Sequence, residues 1–382
     1  MAVNATLHFF TSSSTPLIKT VTLPGNSQTS VNARDYVGNV DFSTEVEADQ
    51  NKPIAVDRTM MWTGPWSAAP EAHSSVGVTS PGNTWYLAEG STDWNFECWL
   101  LIQNPNSQDA TCNVTYMTTT GPQKVTKLVP ANTRQTYNVA NDIGVKDTSI
   151  KVESAVPVIA ERSMYRYNRR EGAESIGTTA PSNDFYLAEG STNWGFQTWV
   201  LVQNPNNATN NVTVEFSNGV TTSFTMAPET RKTVNVNSLA PKADVATHVH
   251  GSLPVVAERS MYWNSYAGEA CHDSIGLAAP HKSFSLPDGA VLNGWETWTL
   301  IQNPNDKQVT VNVTYLAREG SKALVTFQEV MPAKSRKTLN MADKVSYNCG
   351  IKVTCSDPIM VERSMYGYNR ALGTNTIGGF SD

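Results

Sequence analysis

Charge is scarce in this sequence. Asp, Glu, Lys and Arg make up only 16% of its 382 residues, and the net charge is −6. A surface that binds a polyanion needs clustered Lys and Arg, so nucleic acid is not expected as a partner. Long apolar runs are missing too: none approaches the roughly 20 residues of a membrane-spanning helix. Cysteines number five, an odd count without a Cys-x-x-Cys, which argues against a zinc site. There is no Gly-x-Ser-x-Gly, no Walker loop, no HExxH and no DxDxDG. The reading is therefore a protein that is not an enzyme, with no catalytic residues, no metal and no cofactor. The start, Met1-Ala2-Val3-Asn4, lacks the basic segment and apolar stretch of a secretory leader. It reads as a mature form, an excised fragment or a chain exported by another route.

What the sequence has is repetition. Glu161-Arg162-Ser163-Met164-Tyr165 returns from Glu258 to Tyr262 and from Glu362 to Tyr366, with a worn form, Asp57-Arg58-Thr59-Met60-Met61, near the start. The period of about 100 residues exceeds that of a stacked solenoid and suffices for a core in every repeat. Each later repeat opens with two short strands. One ends at Leu87-Ala88-Glu89-Gly90, Leu187-Ala188-Glu189-Gly190 or Leu286-Pro287-Asp288-Gly289, and the other runs into Gln-Asn-Pro-Asn. Alternating β-branched runs follow, then a Pro-led corner from Pro130, Pro228 and Pro332, then the arginine strand. Period-2 alternation between turn signals predicts strands. The boundaries are set at 1–82, 83–182, 183–281 and 282–382, joined without flexible linkers as a string of beads. Repeat one lacks the opening strand pair.

The aromatic-to-Gln-Asn-Pro-Asn strand, the Pro-led corner and the run Val152-Glu153-Ser154-Ala155-Val156-Pro157-Val158 resemble the tandem immunoglobulin-like β-sandwich repeats of bacterial secreted and cell-surface proteins. That resemblance implies an all-β fold: four tandem immunoglobulin-like β-sandwich repeats of about 100 residues, the terminal one incomplete. It implies little about function, since such modules serve as stalks, adhesins and accessory domains alike.

Strand alternation places Arg162 with Val158, Ala160 and Met164, and its counterparts Arg58, Arg259 and Arg363 with similar neighbours. A charge on an apolar face needs a partner, and the acids with the same period are Glu89, Glu189 and Asp288. Trp94 and Trp194, in the loop before the second strand, and Trp263, beyond the arginine, are candidates for stacking on sugars. His248 and His250 share one strand face without a visible third ligand. Asn4, Asn113, Asn207, Asn211 and Asn312 begin acceptor sequons for glycosylation. Cys98 and Cys112 flank the Asn104-Pro105-Asn106 turn symmetrically, which makes them candidates for a disulfide across a hairpin. The expected protein is a non-enzymatic, extracellular or cell-surface structural subunit of a filament, stalk or layer. It associates with itself end to end, the incomplete repeat accepting a neighbour's strand. The alternatives are an adhesin or carbohydrate-binding module that recognises surface glycans, and a non-catalytic arm of a larger secreted hydrolase.

Overall fold

The computed structural model describes residues 2–13, 15–49, 52–65 and 67–382; Met1, where the first repeat was set to begin, lies outside them. Nearly all regular structure is β, interrupted by single helical turns such as Arg34–Val37 and Ala140–Ile143. Repeat one contributes β1 (Val3–Phe10), β2 (Leu17–Leu23), β3 (Ser43–Ala48), β4 (Asp57–Trp62) and β5 (Glu71–Val76). Repeat two contributes β6 (Gly82–Leu87), β7 (Phe96–Asn104), β8 (Ala110–Thr118), β9 (Gly121–Val129), β10 (Thr133–Asn138), β11 (Thr148–Arg166) and β12 (Glu171–Ile176). The same seven recur in repeat three as β13 (Ser182–Leu187), β14 (Gln197–Asn204), β15 (Asn210–Phe216), β16 (Thr221–Met226), β17 (Thr230–Asn235), β18 (Thr247–Ser265) and β19 (Gly268–Ile275). Repeat four has β20 (His281–Leu286), β21 (Glu296–Asn303), β22 (Val309–Ala317), β23 (Val325–Met331), β24 (Ser335–Asn340), β25 (Cys349–Gly367), β26 (Leu372–Thr376) and an added β27 (Gly379–Ser381).

One long strand organises each full repeat. The first part of β11 pairs with β6 and β8, and its second part pairs with β7 and β12. The handover falls at Ser154–Pro157, where the β6 register shifts between Glu153 and Val158. A proline has no N–H to give the ladder, so the strand leaves one sheet and enters the other there. Pro254 and Pro358 occupy the corresponding places in β18 and β25. The Asn-Pro-Asn turn is stitched to this crossing: Asn106, Asn206 and Asn305 donate to the carbonyls of Pro157, Pro254 and Pro358 at 2.6, 2.7 and 2.8 Å. The result is a pair of curled, half-barrel sheets, not a closed immunoglobulin sandwich.

This topology corrects the disulfide expectation. β7 and β8 are not hydrogen-bonded to each other, because the Asn-Pro-Asn turn carries the chain from one sheet to the other. Cys98 faces Met164 and Cys112 faces Ser154, in different halves of β11. All five cysteines are buried and free.

The smaller repeat is the N-terminal one. Its β3 pairs only with β1 and its β4 only with β5 among the described residues.

The repeats do not run out as a string of beads. β5 packs on β12, β12 on β19, β19 on β26, and β26 returns to β5. These four short strands line one axis, and all residues of β5, β12 and β26 are buried. A void of about 10 Å³ between Ser74–Val76, Glu174–Ile176, Asp273–Ile275 and Asn375–Ile377 leaves little room even for one water. Repeat four thus meets repeat one, and the chain closes on itself as a four-part ring.

Candidate functional site

The arginine strands hold the ring together. Arg162, Arg259 and Arg363 are 0% exposed. Each meets the acid at the end of the first strand of its own repeat. Arg162 donates to Glu89 at 3.2 Å, Arg259 donates to Glu189 at 2.8 Å, and Arg363 lies 3.9 Å from Asp288. Each also meets a second acid that the sequence reading passed over. Arg162 bonds Glu258 at 3.2 Å, Arg259 bonds Glu362 at 3.0 Å, Arg363 bonds Asp57 at 3.2 Å, and Arg58 lies 3.5 Å from Glu161. That second acid immediately precedes the arginine of the next repeat. Strand alternation sends the arginine towards its own core and the acid to the opposite face, which here is the preceding repeat. The signal was present in the sequence: an acid-Arg pair recurs at all four positions.

Glu89, Glu258 and Asp273 bring their carboxylate oxygens within 4.8 Å of one another. A donor set of this kind could hold a cation, and the Arg162 guanidinium occupies that role, bonded to all three. One cation does not balance three buried carboxylates. Burial pushes the Asp273 carboxyl up to about 8 and Glu258 up to about 7, with Arg162 pulling against it. The junction of repeats one and two divides its charge differently. On Glu174 burial is outweighed by Arg58 and His73, and the carboxyl is held well below the usual range. Glu161, sharing Arg58, is pushed up to about 8 by burial and the Glu174 charge. The arrangement sets each arginine against buried carboxylates where the four repeats converge.

The candidate aromatic residues separate into two groups. Trp263 is 5% exposed and packs against Phe196, His272 and Tyr366. Its indole donates to the Arg370 carbonyl at 2.7 Å. A ring enclosed in this way offers no platform to a sugar. Trp94 and Trp194 are 66% and 77% exposed. Both adopt left-handed backbone, with φ of 56° and 55°, a conformation that bulky residues seldom take. The loops that carry them are anchored. The Asp93 and Asn193 side chains accept from the backbone N–H of Trp94 and Trp194 at 2.7 and 3.0 Å, and Thr92 and Thr192 bond back to the segments at 144–146 and 240–243.

The surroundings of the two loops also match. Ser91 bridges Asp147, and Ser191 bridges Asp244. Arg231 of the next repeat lies 3.7 Å from Asp147, and Arg336 lies 3.9 Å from Asp244. At the second place a shallow groove of about 500 Å³ is lined by Ser217, Asn218, Asp244 and residues 334–338. Repeat four carries Leu292 and Asn293 in this loop, and repeat one lacks the loop altogether. The aromatic display therefore occurs twice.

The remaining candidates lie outside this face. His248 and His250 both bond Asp184, at 2.8 and 2.9 Å, a carboxylate that sequence spacing did not reveal because it comes from β13. The sequon asparagines Asn4, Asn113, Asn207 and Asn211 are exposed, and Asn312 is half-buried. Four of them accept cross-strand hydrogen bonds, from Thr22, Thr126, Thr225 and Gln328.

No family model and no curated protein matches the chain. Among solved structures it is similar to the crystal structure of Thermotoga maritima 1070, at 18% identity and a TM-score of 0.24. That similarity covers 26% of this chain and 96% of the other. It is also similar to a tetra-tandem repeat in the extending region of a large adhesion protein, at 13% identity and a TM-score of 0.12. Here 99% of this chain and 92% of the other are covered. Scores this low show no shared fold. What stands is a four-repeat β protein in which, among the described residues, no helix is long and apolar enough to cross a membrane.

Proposed function

We propose that the chain is a non-enzymatic, extracellular binding protein of the adhesin or carbohydrate-binding type. The ring is its scaffold, and the Trp94 and Trp194 loops are its ligand face. The observation that carries this reading is the display of two indoles, each held in left-handed backbone by its own loop. Strained, exposed aromatic residues on a rigid support are what a binding site requires and what folding does not. A sugar ring has an apolar face and a polar rim. An exposed indole suits the first, and the adjoining Asp–Arg pair suits the second. Two such sites on one body raise avidity towards a surface that repeats its ligand.

The filament, stalk or layer reading relied on free end faces, and those faces meet within one chain here. A non-catalytic arm of a larger secreted hydrolase would use the same loops in the same way. A glycan array tests the proposal: binding to defined saccharides is expected. Trp94→Ala and Trp194→Ala should each weaken it, and the double substitution should abolish it with the melting temperature unchanged. Glycan binding that survives the double substitution would overturn it.

A further inference from the structure

The outer face of repeat three departs from its counterparts at four neighbouring positions. β18 runs between β13 and β15, with His248 opposite Tyr186 and Glu215, and His250 opposite Asp184 and Thr213. The same register in repeat two sets Lys151 opposite Tyr86 and Thr115, and Glu153 opposite Thr84. In repeat four it sets Lys352 opposite Ser285 and Thr314, and Thr354 opposite Ser283. His248 thus replaces a lysine, His250 a Glu or Thr, Asp184 a Thr or Ser, and Glu215 a threonine. Repeat two fills the place with an ordinary surface ion pair, Lys151–Glu153, at 2.7 Å. The fold does not call for two imidazoles and two carboxylates here, since two equivalent faces do without them.

We propose that Asp184, His248 and His250 form a binding site for a divalent transition ion of the zinc type. His248 Nε2 and His250 Nδ1 lie 2.8 and 2.9 Å from one oxygen, Asp184 Oδ1. The other nitrogen of His248, Nδ1, lies 3.4 Å from Glu215 Oε2, and the Tyr186 ring stacks on the imidazole at 4.5 Å and 7°. Metal-binding imidazoles are held in this way, one nitrogen towards the ion and the other N–H on a carboxylate that fixes tautomer and orientation. With its proton on Nδ1, His248 turns a lone pair from Nε2 towards Asp184. A lone pair facing a carboxylate needs a cation between them, a proton or a metal ion. Glu215 and Tyr186 are therefore positioning residues that act through His248. Two imidazoles with one carboxylate suit zinc, nickel or copper; calcium and magnesium take oxygen donors. The three donor atoms are not yet within 4.8 Å of one another. Reaching metal–nitrogen distances of about 2.0–2.1 Å falls to rotation of His250, whose side chain is 53% exposed. The remaining coordination positions face solvent.

Calorimetric titration of the full chain with zinc tests the proposal, and one ion bound per chain is expected. The double variant His248→Lys, His250→Thr puts the residues of repeat four on this face and should abolish binding. The melting temperature of the metal-free chain should not fall in that variant, because another repeat already carries those residues in the same place. Glu215→Gln should loosen binding about tenfold with the stoichiometry kept, and an unchanged affinity would overturn its positioning role. Cobalt in place of zinc should give the visible absorption of a four-coordinate ion, which the double variant should lose. No zinc uptake, uptake that the double variant retains, or calcium bound as tightly as zinc would each overturn the proposal.

Discussion

The four seams of the ring share one ion-pair pattern but are filled in different ways. Between repeats one and two, Trp62, His73 and Tyr165 form a triangle of rings with centroids 5.1, 5.4 and 6.0 Å apart. Between repeats three and four, Trp263, His272 and Tyr366 repeat it at 5.3, 5.4 and 5.8 Å. In both, the histidine reaches the tyrosine hydroxyl, at 3.2 and 3.1 Å, and the indole donates to a carbonyl of the next repeat. That carbonyl belongs to Arg169 or Arg370, the third residue of a Tyr-Asn-Arg run in left-handed backbone. Such a run is costly for non-glycine residues, and it turns the carbonyl out to meet the indole. The other seams lack the triangle. Arg166 stands where the tryptophan would be between repeats two and three, stacked on Phe96 and Tyr262. Gly367 and Thr374 stand at the seam between repeats four and one. A fourfold array of ion pairs is thus packed as two couples, one·two and three·four.

Substitutions should separate the shared pattern from the variable filling. Arg259→Ala leaves Glu189 and Glu362 buried without their cation and should cost about 3–5 kcal/mol in denaturant unfolding. Arg58→Ala, where the guanidinium is partly exposed and His73 stays beside the buried Glu174, should cost less, about 2 kcal/mol. Equal losses would show that burial does not set the worth of these pairs. Trp263→Ala should cost about 3–5 kcal/mol by truncating a buried ring, and Trp62→Ala, half-buried, clearly less; the reverse order would dissolve the comparison of couples.

A smaller effect is expected from pH. Asp273 and Glu258 hold their protons to about 8 and about 7 in the fold, while an unfolded chain releases them near 4. The folded state binds more protons between these values, so stability falls as pH rises from about 5 to about 8. Glu174 acts in the opposite sense and withdraws its contribution only as pH falls below about 4.5. The melting temperature should therefore decline from pH 5 towards pH 9. Glu161, pushed up to about 8, acts in the same sense, so the double variant Glu258→Gln, Asp273→Asn should make that decline shallower without abolishing it, and an unchanged slope would contradict the assignment.

The strands were legible in the sequence because alternation and turn chemistry are local. The Pro-led corner and the Asn-Pro-Asn turn mark their ends, and Arg162 shares its face with Val158 and Ala160, all three buried. Contacts between repeats were less legible. The outward face of Glu161 reads as solvent-facing in one repeat taken alone, and only the ring makes it an interior face. The Cys98–Cys112 pairing rested on symmetry about a turn, but that turn changes sheets, and one sequence does not distinguish such a turn from a hairpin. Trp263 shows the same limit. Its place beyond the arginine is exposed in a bead and enclosed in a ring.

The link between Arg363 and Asp57 joins residues 306 positions apart, whereas Arg162 and Glu258 are separated by 96. Loop-closure entropy grows slowly with length, so the longer span adds only about 1 kcal/mol. The larger consequence concerns order in time. A chain made from its N-terminus presents Asp57 and Arg58 first, and the strand that brings Arg363 arrives last. The first three links can form during synthesis, each as the next repeat emerges, but the fourth waits for the whole polypeptide. Until then Asp57, the first residue of β4, has no Arg363 to meet in the nascent chain, and a product truncated before Arg363 keeps it so permanently.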